Sequence, residues 1–314
     1  MHISILGAGA IGTLLAYRFV RAGHEVTMVA RGARLESLRQ AKGVLKVRPL
    51  LGGSEESVTV SVTDTLEAGH AADLLLVTVR RQHAEALLAG VAASSARRIM
   101  FMFNIAGDLS RFREAVGRER FSWGFPAAVA RFEGDVLLYS VVPSILRSLQ
   151  ITTIGGLAGF EPPGLTALRD LFSKAHIPSA VCPDMESWLK THAAFMAPLI
   201  SAGHLATRAS ALTWAEAAGV ASAMDSGFRA VRRSGARVLP WNMVLLHLVP
   251  TAMKTVALWL AFRLGALRAA LEGEHARGEA LAMLEDLEVL SPESAAPIAH
   301  LQAALQRASA ATQL

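Results

Sequence analysis

The stretch His2-Ile3-Ser4-Ile5-Leu6-Gly7-Ala8-Gly9-Ala10-Ile11-Gly12-Thr13-Leu14-Leu15-Ala16 decides the fold. His2–Leu6 is short and apolar, as a buried strand should be. Three glycines follow in the pattern G-x-G-x-x-G, and an apolar, helix-periodic segment, Ala10–Ala22, runs from them to Gly23. In this context each glycine meets a separate need. Gly7 permits a tight turn, Gly9 lets a diphosphate come close to the backbone, and Gly12 lets the helix pack on the strand. The helix N-terminus then offers free N–H groups and the positive end of its dipole to an anion. Gly7, Ala8, Gly9, Ala10, Ile11 and Gly12 are therefore a candidate dinucleotide-binding loop.

Outward from this unit, apolar runs alternate with helical patterns. Glu25–Val29, Leu74–Thr78 and Ile99–Phe103 read as strands, and Val136–Val142, Gln150–Ile154 and Ala180–Cys182 as later ones. Leu165–Lys174, after Pro162-Pro163, reads as a helix. Such alternation implies a parallel sheet with right-handed crossovers. Pro183-Asp184 opens a long helix, and the pattern stays helical to the end, broken near Gly219, Gly227, Gly235, Pro240, Gly273 and Ser291-Pro292. The expected fold is α/β: a Rossmann-like, doubly wound parallel sheet over 1–182, then an all-helical domain over 183–314.

A length of 314 residues suits two domains, and 52% hydrophobic against 18% charged residues suits a large core with buried helices. The formal charge of +5 favours an anionic ligand. No basic run interleaved with aromatics appears, so nucleic acid is not expected. The single cysteine, Cys182, excludes an internal disulfide and fits a reducing, cytoplasmic setting. Asn242–Phe262 approaches the length of a membrane span, but His247, Pro250 and Lys254 interrupt it. It reads as one or two buried helices, with membrane association as the minor alternative.

The end of the second strand distinguishes the two nicotinamide dinucleotides. An NAD site usually carries a carboxylate there. Here the chain reads Val29-Ala30-Arg31-Gly32, with no acid. The Arg31 guanidinium can grip a 2′-phosphate through paired hydrogen bonds, with Arg34 in support, so NADP(H) is the expected cofactor.

With these features the sequence resembles the ketopantoate reductase family, which reduces 2-oxo acids with NADPH, in particular 2-dehydropantoate to pantoate. The resemblance is strong over residues 1–35 and returns at Asp73-Leu74-Leu75-Leu76-Val77-Thr78-Val79-Arg80, where the family carries a lysine in place of Arg80. It implies cofactor contacts by Arg80, by Asn104, placed between nicotinamide and substrate, and by the backbone at Ala130. Glu186-Ser187-Trp188-Leu189-Lys190 resembles the family's Trp-x-Lys and implies that Lys190 is the catalytic proton donor. Read without the resemblance, Glu186 and Lys190 are simply an i, i+4 ion pair. Glu272, six residues before Gly278 and twenty before Pro292, keeps the spacing of the family's second catalytic residue. It would reach the ribose or orient the substrate; the other reading is an exposed turn at Gly273.

The substrate half departs from the family. Its two asparagines correspond to Ala194 and to Ala197 or Pro198, and its carboxylate-binding serine to Leu260. Each lost polar partner costs about 1–3 kcal/mol for a buried substrate group. A less polar carbonyl substrate than ketopantoate is therefore expected, in a cleft between the domains. Two alternatives stay open: an opine- or hydroxyacid-type dehydrogenase, and a non-catalytic NADP(H)-binding sensor. His192, His204 and His247 show no metal-ligand spacing, so no metal is expected. A homodimer is compatible with all of these readings.

Overall fold

Strand β1 (His2–Leu6) lies inside a sheet, with Ile3, Ser4, Ile5 and Leu6 buried. The structure, a computed structural model, describes residues 1–66, 72–141, 151–206, 211–263 and 274–312. They divide into two compact units. The first comprises Met1–Phe103 and Leu109–Met185, the second Asn104–Asp108 and Glu186–Leu314.

In the first unit, β1 pairs in parallel with β2 (Glu25–Val29) on one side and β6 (Leu74–Val77) on the other. The eight-stranded sheet has the order β12-β11-β8-β7-β6-β1-β2-β5. Its other members are β5 (Ser61–Thr63), β7 (Ile99–Phe101), β8 (Phe121–Phe125), β11 (Thr152–Gly155) and β12 (Ser179–Cys182). All its pairings are parallel except that of β8 with β11. From β1 the chain builds one wing and then crosses to build the other, so a topological switch point lies beside β1. This is the doubly wound α/β fold expected from the sequence, followed by helices.

A second sheet, not expected, has the order β4-β3-β10-β9. It consists of β3 (Val44–Pro49), β4 (Glu56–Thr59), β9 (Ala128–Glu133) and β10 (Val136–Val141). Helix α1 (Ala10–Arg21) packs against both sheets. Leu15, Ala16 and Phe19 join the core of the large sheet, and Leu14 and Tyr17 join Val47, Leu137 and Tyr139 of the small one. Burial on both sides explains why α1 is apolar nearly all round. Phe19 alone, fully buried and edge-on to Phe172 at 5.2 Å, contributes about 1.5–3 kcal/mol by leaving water. Helices α2 (Gly32–Gln40), α3 (Arg81–Ala86), α4 (Leu88–Ala93), α5 (Ser110–Val116) and α6 (Leu165–Lys174) complete the unit. Cys182 is free and buried, its thiol donating to the Asp184 carbonyl, and burial pushes its ionisation up.

The second unit is helical. It holds nearly all of α7 (Met185–Leu205), then α8 (Trp214–Arg233), α9 (Trp241–Leu248), α10 (Thr251–Arg263), α11 (Glu274–Leu290) and α12 (Ala296–Thr312). Thr213 and Glu216 start α8 with reciprocal hydrogen bonds between side chain and backbone. Gly227 of α8 faces Ala194 of α7 so closely that a Cβ there would lie 3.0 Å from the Ala194 Cα. Within the α8 core Lys254 bonds Asp225, which Thr251 also bonds, and the Lys254 ammonium reaches the His247 carbonyl at 3.3 Å.

The stretch expected as buried helices behaves differently. It forms α9 and α10, bent by 104° at Val249-Pro250. Helix α9 buries no residue, and α10 buries Lys254, Thr255, Leu258 and Phe262 while exposing apolar side chains. No single helix among the described residues is long and apolar enough to cross a membrane, although the bent pair together passes that test.

Candidate functional site

The parallel register brings the chemistry to one edge of the large sheet. Leu6 lies opposite Val29 and Val77. The residues that follow each strand, Gly7–Gly12 after β1, Ala30-Arg31 after β2 and Thr78–Arg80 after β6, therefore leave the sheet at the same carboxyl edge. In open α/β sheets ligands bind there, at the switch point.

Each loop glycine has an observable reason. Gly7 takes φ +117°, and its amide donates to the Val29 carbonyl at 3.0 Å. A Cβ on Gly12 would lie 1.9 Å from the Gly7 carbonyl oxygen and 2.7 Å from Thr78 Oγ1. Only glycine fits there. Gly9 is different. It caps α1 with extended backbone, φ −75°, and a Cβ on it would meet nothing within 4 Å. The space over Gly9 is open, and a side chain would occupy the volume a phosphate needs. Helix geometry leaves the first amides of α1 without intrahelical partners, and no acidic residue sits in its first turn. The loop thus fits a diphosphate.

Two residues brace the loop. Thr78 Oγ1 donates to the carbonyls of Leu6 (3.2 Å) and Gly7 (3.0 Å). Arg34 donates from Nε to the Ala8 carbonyl at 3.0 Å and from Nη2 to Thr13 Oγ1 at 3.5 Å, and its guanidinium stacks on Phe132 at 4.4 Å. Arg34, expected beside Arg31 on a phosphate, is therefore turned under the loop instead, and burial pulls its ionisation down. Arg31 is exposed at the N-cap of α2, and no hydrogen bond or ion pair holds its side chain among the described residues. Arg80 is exposed at the N-cap of α3. Ala130 is half-buried in β9, opposite Tyr139, in the small sheet that packs on α1.

The remaining candidates belong to the second unit. Lys190 is buried, and its Nζ donates to Glu186 Oε1 at 2.6 Å. A solvated surface pair is thus excluded; the ammonium is desolvated and held by one carboxylate. On the other side of α7, Trp188 and His192 stack at 5.0 Å. Burial holds the His192 imidazole neutral, down to about 3. Ser187 and Thr191 accept the amides of Arg237 and Leu239, fixing the start of α7. Asn104 donates from Nδ2 to Glu279 at 3.0 Å, while its Oδ1 is buried with no partner among the described residues. The Ala106 amide donates to Asp286 at 2.8 Å. These two bonds attach 104–108 to α11, which is why this short segment groups with the helices. Glu279 had no signal in the sequence, since only the fold brings it to a residue 175 positions away. Glu272 lies outside the described residues. Ala194 and Ala197 are fully buried core residues, and no cluster of metal-ligating side chains occurs among the described residues.

Comparison with known proteins agrees with this layout. Residues 3–136 match the family described as ketopantoate reductase PanE/ApbA. This segment is similar to that family and makes up less than half of the chain. The matched segment holds the glycine loop, Arg31, Arg80 and Ala130. Over 88 residues the chain is 39% identical to glycerol-3-phosphate dehydrogenase [NAD(P)+] of Afipia carboxidovorans. That match covers 28% of this chain and spans about a quarter (26%) of the relative. Solved structures share the fold over nearly the whole chain. 2-Dehydropantoate 2-reductase from Geobacter metallireducens aligns with TM-score 0.73 at 15% identity, over 98% of this chain and 100% of that one. NADP+-bound yersinopine dehydrogenase aligns at 0.76 and 16% identity, over 99% and 91%. D-mandelate dehydrogenase with NADH and anilino(oxo)acetate aligns at 0.70 and 12%, over the full length of both.

Proposed function

We propose that the protein is an NADP(H)-dependent oxidoreductase that reduces a 2-oxo acid or related ketone to the hydroxy compound. The observation that carries this reading is the open, acid-free helix end at Gly9 with an unengaged arginine following the adjacent strand. The diphosphate would rest on the amides of the Gly7–Gly12 loop, and Arg31 would take the 2′-phosphate, with Arg80 adding positive charge. Bound NADPH would supply hydride to the carbonyl carbon.

The protein must then stabilise and protonate the carbonyl oxygen. Lys190 is suited to this. An ammonium has three donors, and one is held by Glu186, which fixes the rotamer and leaves others for an oxyanion. Glu186 is half-buried and can reprotonate the amine from solvent. The unpartnered Oδ1 of Asn104 is an acceptor for a cofactor or substrate N–H or O–H. Glu272 retains the role that resemblance gives it, on ribose or substrate.

The apolar core at Ala194 and Ala197 removes the polar contacts that would favour ketopantoate. A bulkier, less polar ketone or oxo acid is the preferred substrate, in a cytoplasmic setting. The same loss favours the second reading, an NADP(H) sensor. NADPH consumption against a panel of oxo acids and ketones separates the readings. Turnover best with apolar substrates supports the first, turnover best with ketopantoate rejects the substrate preference, and saturable binding without any turnover supports the sensor. Lys190→Met should lower kcat by about 10²–10⁴ with NADPH affinity unchanged; full turnover would remove Lys190 from the mechanism.

A further inference from the structure

The peptide between Ala8 and Gly9 is gripped on one side only. Its carbonyl accepts from Arg34 Nε at 3.0 Å and, at a longer 3.5 Å, from Thr13 Oγ1. Thr13 is buried on α1, and its hydroxyl in turn accepts from Arg34 Nη2 at 3.5 Å. These three groups close a ring of hydrogen bonds under the loop. The flat face of the guanidinium lies on Phe132 of β9 at 4.4 Å, so the small sheet fixes its plane. Arg34 stands in the first turn of α2, and helical side chains lean toward the N-terminus, which carries it back to the loop. Gly9 has no side chain to restrict the peptide before it, so partners rather than sterics must hold that peptide in one orientation. The Ala8–Gly9 bond is trans, and in a planar trans unit the N–H points opposite to the C=O. A carbonyl drawn to Arg34 therefore aims the Gly9 N–H to the other side of the loop, where no backbone acceptor among the described residues meets it.

Given the dinucleotide site proposed above, on which this assignment rests, we infer that Arg34 is a positioning residue for the cofactor's diphosphate and not a ligand of its 2′-phosphate. Its Nε and Nη2 are committed to the loop and its face to Phe132. Arg31, three residues earlier at the N-cap of α2, keeps a side chain with no hydrogen bond or ion pair among the described residues. The two arginines thus divide the cofactor between them. Arg31 meets the phosphate that distinguishes NADPH from NADH. Arg34 presents the Gly9 amide to the diphosphate that both dinucleotides share, and sets a positive charge behind that amide. A cavity of about 420 Å³ borders Arg34, Thr13, Ser37 and Lys46. Through it a small cation can reach the place of the guanidinium once the side chain is shortened.

The test titrates the full-length chain with NADPH and, separately, with NADH, as wild type, Arg34→Ala and Arg34→Lys. Arg34→Ala should weaken both dinucleotides by the same factor, about tenfold to a hundredfold, and so leave the preference for NADPH where wild type has it. Arg34→Lys keeps the charge and a donor but not the planar fork, and should lose less, again equally for both. Millimolar guanidinium chloride should restore affinity to Arg34→Ala, whereas the same concentration of sodium chloride should not. If Arg34→Ala does not fold, Arg34→Lys carries the same comparison of the two dinucleotides. A loss confined to NADPH overturns the inference, because it makes Arg34 a ligand of the 2′-phosphate. So does unchanged affinity in both variants, or a loss that neither lysine nor guanidinium relieves, which assigns Arg34 to the fold alone. Wild type that binds neither dinucleotide overturns the proposed function itself, and this inference with it.

Discussion

Gly9 and Gly12 lie one turn apart, yet substitution at each should fail for a different reason. At Gly12 a methyl group would overlap the Gly7 carbonyl, so Gly12→Ala must displace the loop or the helix. At Gly9 the backbone is ordinary and the space is empty. Gly9→Ala should therefore keep the thermal midpoint within a degree or two and lose NADPH affinity about tenfold or more, whereas Gly12→Ala should lower both. Titration calorimetry with thermal denaturation would show it; equal behaviour of the two variants would contradict the loop geometry. His192 gives a pH prediction. Its folded ionisation, held at about 3 by burial, lies below the ordinary 6.5. The unfolded chain thus binds the proton more readily, and stability is full above 6.5 and declines as pH falls toward 3. The slope is at most about 1.4 kcal/mol per pH unit. Urea denaturation between pH 7 and 4 should show His192→Gln losing less stability than wild type over that range. The glycines and Arg31 were readable because their spacing is local. Arg34 was not, since Ala8 and Thr13, which it braces, are brought to it by the α1–β2–α2 turn rather than by spacing.

At the scale of elements, patterns marked β1, β2, β6, β7, β10, β11 and β12 but not β3, β4, β5, β8 or β9, and did not tell partner from partner. Strand β3 alternates Leu45 and Val47 inward with Lys46 and Arg48 outward. That alternation is clear, yet its place in a second sheet depends on β10, some ninety residues away, with Lys46–Asp135 (2.8 Å) and Arg48–Glu133 (3.1 Å) bridging the exposed face. Likewise hydropathy marked 242–262 as apolar without saying which face would be covered. The reason lies in Lys254, whose buried pairing with Asp225 turns the polar side of α10 inward. Asp225→Asn would leave that ammonium buried and uncompensated, and should cost about 3–5 kcal/mol in urea denaturation. Replacing both, as Asp225→Leu with Lys254→Met, should recover most of the loss. A single-variant cost below 1 kcal/mol would mean that the pair does not hold the helix orientation.

For the whole molecule, the doubly wound sheet followed by helices was legible from the order of patterns, because apolar strands alternate with helices first and helices alone follow. The substrate was not legible, because Asn104 and Ala194 acquire their partners from chain-distant helices. The proposed function requires the nicotinamide dinucleotide at the glycine loop and Arg31 as the reader of its extra phosphate. Calorimetric titration of wild type and Arg31→Gln with NADPH and NADH tests this most directly. Saturable binding of NADPH well above NADH is expected. The substitution should reduce NADPH affinity about ten- to a hundredfold and leave NADH unchanged. Absence of saturable binding of either dinucleotide, or an unaltered NADPH preference in Arg31→Gln, would contradict it.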